Sequence, residues 1–148
     1  MPQSATDYLK DHQLLTLATA STSGEPHAAP CFYANDGLTL YFSVAPNSVS
    51  AANLKANGRA AAGVADVPSD WSKARGIQIS GAVDELDGDD EAKVGELFKA
   101  RYPFLGDDAL HSHYYRLNPD DVHYIHNEDG GEEEKPNLGV VWTAEHMT

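Results

Sequence analysis

The feature that most constrains the fold is a series of short segments in which apolar and polar residues alternate, each bounded by turn-forming residues. Such alternation is typical of half-buried strands. The clearest boundary is Asn35-Asp36-Gly37, because an Asp-Gly step tolerates the positive φ angles of a tight hairpin. The pattern predicts six or seven strands joined by tight turns, with two or three helices. It therefore favours a mainly β fold in which an antiparallel sheet closes into a small barrel, with helices covering its openings.

The strands are predicted from this alternation and from the turns that bound it. They cover residues 14–19, 26–34, 38–44, 59–65 and 75–86, followed by a hairpin of 114–117 and 122–125 around Asn118-Pro119-Asp120-Asp121. Gly81, inside the fifth strand, predicts a bulge or a close approach of another backbone.

The two or three predicted helices come from three segments with helix-start signals. Thr6 is expected to cap a short first helix that runs through His12. Ser48 is expected to cap a second helix that ends at Asn57-Gly58. Acidic residues at 87–91 open the third, since negative charge is favourable at a helix N-terminus, and Pro103 ends it.

The length and the charge bound the class of protein. At 148 residues, the chain suits one domain over 1–148, with an acidic loop at 127–137 and a short C-terminal segment at 138–148. The formal net charge is −13. This balance argues against nucleic-acid binding, which needs basic groups to neutralise phosphates, and against docking on an anionic membrane.

Cysteine usage and the N-terminus bear on location and metal binding. Cys31 is the only cysteine, so an intrachain disulfide and a zinc site of two or more cysteines from one chain are excluded. The N-terminal residues show neither a basic nor an apolar signal-peptide region, and no apolar run reaches the roughly 18 residues of a membrane span. A cytoplasmic location is therefore predicted.

The side chains offer no convincing nucleophile and base. The Gly-x-Ser-x-Gly, Gly-x-Gly-x-x-Gly and P-loop motifs are absent from the sequence. No catalytic residue is assigned, and a cofactor would supply the chemistry of an enzyme. Ser48 begins a helix directly after a strand, so its N–H groups and the hydroxyls of Ser48 and Ser50 could bind an anion; an ordinary helix cap is the alternative.

Histidines near the C-terminus raise the question of a metal site. His111 and His113 would share one face of the predicted hairpin, opposite a strand that holds His123 and His126. Carboxylates such as Asp120 or Asp121 could complete such a site. However, the spacing of three places His123 and His126 on opposite faces of a regular strand, and no metal is predicted.

The order of motifs resembles the pyridoxamine 5′-phosphate oxidase-like, FMN-binding split-barrel family over roughly residues 8–127. The segments that carry the resemblance are Leu15-Thr16-Leu17-Ala18-Thr19, residues 24–30, Leu40-Tyr41-Phe42-Ser43, residues 48–54, Asn57-Gly58-Arg59, residues 75–81, Arg101-Tyr102-Pro103 and residues 115–122. The resemblance implies a split barrel and a homodimer, with FMN in clefts at the interface between the two chains.

The resemblance also implies the cofactor contacts. The strand around Pro30-Cys31-Phe32 and Phe42-Ser43 would lie along the isoalloxazine ring and ribityl chain, and the helix that starts at Ser48 would hold the phosphate. Gln78 would be a further polar contact. The complete expected set is Pro30, Cys31, Phe32, Phe42, Ser43, Ser48, Val49, Ser50, Asn53 and Gln78.

The sequence departs from the family at the phosphate site. Members that bind FMN often have Ser-Arg-Lys where this chain has Ser48-Val49-Ser50, so helix N–H groups, the serines, or Lys55, Arg59 or Arg75 would have to compensate. The expected function is an FMN flavoprotein that passes electrons from a reduced nicotinamide to a small-molecule acceptor.

The sequence is compatible with a second function and with two roles for its tryptophans. The alternative function is a binding module on the same scaffold for a deazaflavin or haem, or one without a cofactor. A haem would take His111, His113 or His126 as its axial ligand. Trp71 and Trp142 could each cover a flavin ring or simply fill the end of the barrel.

Overall fold

The fold is that of a computed structural model, which describes residues 3–66, 74–126 and 144–147. The predictions for the loop at 67–70, for Trp71, for the acidic loop and for Trp142 lie outside these residues.

The strands form where side chains alternate between the buried and the exposed face of the sheet. In β1, Leu15 and Leu17 are buried while Leu14 and Thr16 are exposed, as the period of two requires. The strands are β1 Leu14–Ala20, β2 Pro26–Asp36, β3 Thr39–Phe42, β4 Arg59–Ala65, β5 Arg75–Glu85, β6 Tyr115–His126 and β7 Ala144–Met147.

The strands form one antiparallel sheet in the order β3-β2-β1-β4-β5-β6-β7. β3 also pairs with β6, with Leu40 opposite Leu117, so the first six strands close into a barrel. β7 lies beside the second half of β6, beyond the part that β3 reaches. This confirms the predicted mainly β, antiparallel barrel.

Four helical segments accompany the barrel in the described ranges, more than the two or three predicted. They are α1 Gln3–Lys10, α2 Val49–Asn57, α3 Gly88–Arg101 and a 3₁₀ segment, Pro103–Leu110. α2 begins after Ser48 and ends before Gly58 as predicted. The prediction for α1 is wrong in detail, because Thr6 lies inside this helix and His12 lies beyond its end.

The predicted hairpin at residues 114–125 is also wrong, since β6 is one continuous strand. Its turn-like residues form a bulge, where the register with β5 shifts between Ser80 and Gly81. Gly81 faces Pro119, and a Cβ on Gly81 would lie 1.8 Å from the carbonyl oxygen of Asn118. The glycine therefore permits the close backbone approach that its position in the sequence predicts.

Buried side chains form two clusters. The barrel core contains Ala5, Tyr8, Leu9, Leu15, Leu17, Tyr33, Leu38, Leu40, Phe42, Leu54, Ala60, Ala62, Val64, Ile77, Ile79, Tyr115, Leu117, Val122 and Tyr124. The outer cluster, between the barrel and α3 with the 3₁₀ segment, contains Ala34, Leu86, Val94, Phe98, Tyr102, Ala109 and Tyr114.

Candidate cofactor site

One edge of β2 is only half paired, and this defines the place of the candidate site. On one side β2 pairs with β1 from Pro26 to Phe32; on the other, β3 covers it only from Tyr33 to Asp36. The Tyr33 N–H donates to the carbonyl of Gln13 at 3.1 Å, towards β1. Because backbone groups alternate between the two edges, those of Ala28, Pro30 and Phe32 point to the other side.

That second edge has no strand partner from Pro26 to Phe32 in the part of the chain that the structure describes. It therefore presents the N–H groups of Ala28 and Phe32 and a row of carbonyls. Pro30 has no N–H to present, which is why proline is tolerated there. The edge offers a ligand a mixed row of hydrogen-bond donors and acceptors.

A cavity of about 410 Å³ lies where β2 and the chain that leaves β3 diverge. This volume is in the range of sites for small molecules and cofactors. Its walls come from β2, the β3–α2 connection, α2, α3, the 3₁₀ segment and the chain before β6. The lining residues are His27, Ala29, Pro30, Cys31, Phe32, Ser43, Val44, Ala45, Ser48, Ser50, Phe98, Leu105, Ser112 and Tyr114.

The start of α2 forms one end of the cavity. Ser48 Oγ accepts the N–H of Ala51 at 3.1 Å and donates to the carbonyl of Ala45 at 2.6 Å. The Ser48 hydroxyl is therefore occupied in holding the helix start, while backbone N–H groups of the first turn remain at the positive end of the helix. Asn53, one turn later, donates to Thr19 Oγ1 at 3.0 Å and fixes α2 on β1.

The cavity walls carry little charge. Among the described lining residues none is Lys, Arg, Asp or Glu, and His27 is the only side chain that can carry a positive charge. Burial raises the pKa of the Cys31 thiol to about 11, so this cysteine stays protonated and unreactive near neutral pH. The cavity therefore suits a mostly uncharged ligand better than a highly charged one.

The structure brings together most of the cofactor contacts that the resemblance implies. Those in the cavity are Pro30, Cys31, Phe32, Ser43, Ser48 and Ser50. Phe42 instead lies in the barrel core, stacked on Tyr115 with ring centroids 5.5 Å apart. Val49 points to solvent, and Asn53 is buried against Thr19.

Gln78 does not line this cavity but a neighbouring one, which shares Pro30 with it. This second cavity, of about 590 Å³, lies on the outer surface of β1, β4 and β5 and is also lined by Asp66 and Arg75. The Arg75 guanidinium lies over the rings of Tyr8 and Tyr124. Within this chain, Gln78 and Arg75 therefore do not join the residues at α2.

The histidines are not arranged as predicted. His111 and His113 precede β6 rather than lying in a strand, which corrects the shared face expected for them. His113 contacts two glutamates, and His123 lies 3.6 Å from Asp121. In the described residues, no three histidine, cysteine or acidic side chains converge as a metal site would require.

Sequence reasoning missed His27, Phe98 and Tyr114 as lining residues. His27 lies in the matched segment 24–30, but its proximity to α2 follows only from the pairing of His27 with Thr19. Phe98 and Tyr114 come from distant elements that meet only in the fold. No local pattern identifies such residues.

Across the described ranges, none of the helices combines the length and apolar character needed to cross a bilayer.

The barrel, the half-paired strand and the adjoining cavity define a split-barrel protein with a candidate cofactor site. The family model described as pyridoxamine 5′-phosphate oxidase matches residues 1–126. The chain therefore belongs to the pyridoxamine 5′-phosphate oxidase family, as the resemblance of its motifs implied. No curated protein matches the sequence significantly.

Solved structures with the same fold are named for different ligands. A haem-binding protein of Mycobacterium smegmatis gives a TM-score of 0.74 at 18% identity, over 100% of this chain and 59% of that chain. The haem storage protein HutZ of Vibrio cholerae gives 0.69 at 14%, over 80% and 89%. An FAD-binding protein of Mesorhizobium loti gives 0.66 at 19%, over 80% and 87%. Identities this low establish the fold alone.

Proposed function

We propose that this protein is an FMN-binding flavoprotein and an oxidoreductase. The observation that carries the proposal is the free edge of β2 beside an apolar cavity of about 410 Å³. The pyrimidine edge of an isoalloxazine alternates carbonyl acceptors with an N–H donor, and the backbone of Ala28, Pro30 and Phe32 offers the complementary groups. The remainder of the ring would lie against Val44, Phe98 and other apolar walls.

The phosphate end of FMN would lie at the start of α2. Helix N–H groups and the positive end of the helix favour an anion there. The Arg-Lys pair of other members is absent, so the phosphate would depend on these N–H groups, on Ser50 and on His27, all at the same cavity. This predicts weaker binding of FMN than in members that keep the pair.

The protein's part in the reaction would be binding, orientation and exclusion of water. When bound, FMN would accept a hydride from a reduced nicotinamide and pass electrons to a small-molecule acceptor. The carbonyl and N–H groups of β2 would hold the ring in one orientation, and the apolar walls would keep water from it. No side chain of the cavity is assigned as a proton donor.

The first test is an absorbance spectrum of the purified protein, before and after addition of FMN and dialysis. Retained flavin bands would support the proposal, and a colourless protein that retains no FMN would contradict it. The variant S48D/S50D should then abolish binding, because it places two carboxylates where the phosphate is proposed to lie. S21D/S23D is the matched control, since it adds the same charge at the exposed β1–β2 turn.

Haem is the second candidate ligand, because His27 lies in an otherwise uncharged and mostly apolar cavity and two relatives with this fold are described as haem proteins. Of the axial ligands suggested by sequence, His113 has both ring nitrogens at carboxylates. Neither His111 nor His113 lines the cavity, and the side chain of His126 lies outside the described residues, so His27 is the better candidate. A Soret band on addition of haem, lost in H27A but kept in H111A, would favour this reading; a deazaflavin or an empty cavity would give no such band.

We also propose a homodimer, whose support is the outer face of the barrel. Leu14 and Phe32 are paired there and are 53% and 40% exposed, and Phe104 beside Phe32 is 70% exposed. A second copy could bury these side chains and close the cavity mouth near Phe32. Light scattering that gives the mass of one chain would contradict this. The cytoplasmic location stays a prediction.

A further inference from the structure

A histidine that lies between two carboxylates stands directly between Ser112 and Tyr114, which both line the cavity. His113 Nδ1 is 2.5 Å from Glu91 Oε2, and its Nε2 is 2.7 Å from Glu85 Oε2. Glu85 is the last residue of β5, and Glu91 lies in the first turn of α3. A neutral imidazole has a single N–H and can donate to only one carboxylate. Both contacts are therefore favourable only when both ring nitrogens are protonated.

The same cluster holds two residues that line the cavity. Glu91 Oε2 also accepts the N–H of Tyr114 at 3.0 Å. The carbonyl of His113 accepts the hydroxyl of Ser43 at 2.7 Å. Ser43 and Tyr114 both line the cavity. The position of the His113 segment therefore sets the position of this wall relative to β3 and α3.

The surroundings of His113 are mainly acidic. Glu85 faces it from β5 and Glu91 from α3, while the ring of Tyr115 on β6 lies edge-on with its centroid 5.2 Å away. The next charged groups on β5 and β6, Asp84 and Arg116, bond to each other at 2.7 Å. Asp89 and Asp90, in the first turn of α3, are exposed and add negative charge to this end of the molecule.

These contacts determine the direction in which the pKa of His113 is shifted. Partial burial acts to lower the pKa of His113, but hydrogen bonds to Glu85 and Glu91, and their charges, outweigh it and raise the pKa above its ordinary value. A larger share of His113 is therefore protonated near neutral pH than of a free histidine.

We propose that His113 is a positioning residue for the cofactor cavity. When the ring is positively charged, it bonds to Glu85 at the end of β5 and to Glu91 at the start of α3. It then connects both elements to the segment that carries Tyr114 and contacts Ser43. When it is neutral, the ring can donate to only one of the two carboxylates, so the wall loses one of these two hydrogen bonds. Ligand affinity then falls as the pH rises through the titration of His113. The identity of the ligand rests on the proposed function, whereas the change in the wall with pH does not require any ligand.

The wall is tested first without any ligand. Nuclear magnetic resonance would follow the ring of His113 and the backbone amides of Ser43 and Tyr114 as the pH is raised. We expect the two amides to titrate with the midpoint of His113, and these shifts to disappear in H113Q. Amides that do not move while His113 titrates would overturn the inference, whether or not the protein binds a flavin.

The effect on binding is tested with riboflavin, which has no phosphate. The phosphate of FMN would itself titrate at about pH 6, as in phosphorylated residues, and would obscure the titration of His113. We expect riboflavin affinity of the unmodified protein to fall roughly two- to fivefold as the pH rises, the scale of a partly exposed ion pair. H113Q should remove this dependence, and H111Q, at an exposed histidine nearby, should keep it.

The possible results separate the two proposals. A pH profile that is unchanged in H113Q would overturn the role of His113 and leave flavin binding intact. A protein that binds neither riboflavin nor FMN would contradict the proposed function, and the amide titration would then still decide the inference on His113.

Discussion

The barrel core and the outer cluster are both buried, but only the barrel core is enclosed by strands on all sides. Leu17, Leu40 and Leu117 lie inside the closed barrel and are fully inaccessible. The outer cluster instead borders the cavity, which Phe98 and Tyr114 line directly. Of the two clusters, only the outer one contributes buried side chains to the wall of the candidate cofactor cavity.

Both clusters contain tyrosines whose hydroxyls donate to backbone carbonyls. In the barrel core, Tyr8 donates to the carbonyl of Arg75 at 3.2 Å and Tyr33 to that of Leu9 at 2.5 Å. In the outer cluster, Tyr114 donates to the carbonyl of Ala109 at 2.6 Å, and Tyr102 donates to the carbonyl of Tyr33. Apolar packing tolerates small shifts, but such hydrogen bonds define a position. Of these tyrosines only Tyr114 lines the cavity, so its hydrogen bond fixes the position of that wall.

The largest effect is expected from L40A, which truncates a fully buried residue of the barrel core. The free energy of unfolding should fall by about 2–5 kcal/mol, the usual cost of a large-to-small change in a core. Flavin affinity per folded molecule should not change, because Leu40 does not line the cavity. Urea denaturation and a flavin titration measure the two quantities. L97A is the control, since Leu97 is 38% exposed.

A smaller effect on stability, but a clear one on binding, is expected from F98L. The side chain stays apolar and similar in size, so the loss of unfolding free energy should be below about 1.5 kcal/mol. The wall that Phe98 gives to the cavity is altered, and flavin affinity should fall several-fold. An affinity equal to that of the unmodified protein would show that the outer cluster, like the barrel core, only supports the fold.

S48A tests the helix that joins the two regions, because Leu54 of α2 belongs to the barrel core while Ser50 lines the cavity. Loss of the N-cap bond to Ala51 should lower the unfolding free energy by about 1 kcal/mol. S48T should restore most of it, since threonine also caps helices. Thermal unfolding of both variants measures the difference, and equal stability of S48A and the unmodified protein would contradict the cap.

The smallest effect is expected at His113, and it depends on pH. Because the folded pKa is raised, the stabilisation by His113 is complete below its unfolded pKa and is lost as the pH rises through the folded pKa. H113Q should therefore be less stable than the unmodified protein at low pH by about 0.2–1 kcal/mol and equally stable at high pH. Denaturation curves over this range, at low and high salt, measure the difference. A larger difference at high pH would reverse the sign and exclude the ion pairs as its cause.

Local signals predicted much of the fold. β4 has the predicted bounds, and α2 begins and ends where Ser48 and Gly58 indicate. Gly81 meets the backbone of Asn118 as its place inside a strand suggested. The bounds of α2 depend on capping interactions within a few residues of the signal, and the close approach at Gly81 requires only that a side chain be absent.

The errors arise where distant pairing overrides local preference. Asn118-Pro119-Asp120-Asp121 has the composition of a turn, but the long partner β5 holds it as a strand and the bulge accommodates its misfit. His113 was expected in a strand, and its two glutamates come from β5 and α3. The cavity likewise gathers residues from separate segments, so motif matching found β2 and α2 but not His27 or Phe98.

Because β2 is only half paired, its backbone amides should exchange their hydrogens at two different rates. The amide of Tyr33 is bonded to Gln13, and those of Cys31 and Ala29 point the same way, so all three should exchange their hydrogens slowly. The amides of Ala28 and Phe32, on the free edge, should exchange quickly in the absence of a ligand. A ring bound along this edge would slow the exchange of alternate residues only, and that pattern of every second amide would record both the presence of the ligand and the edge it occupies.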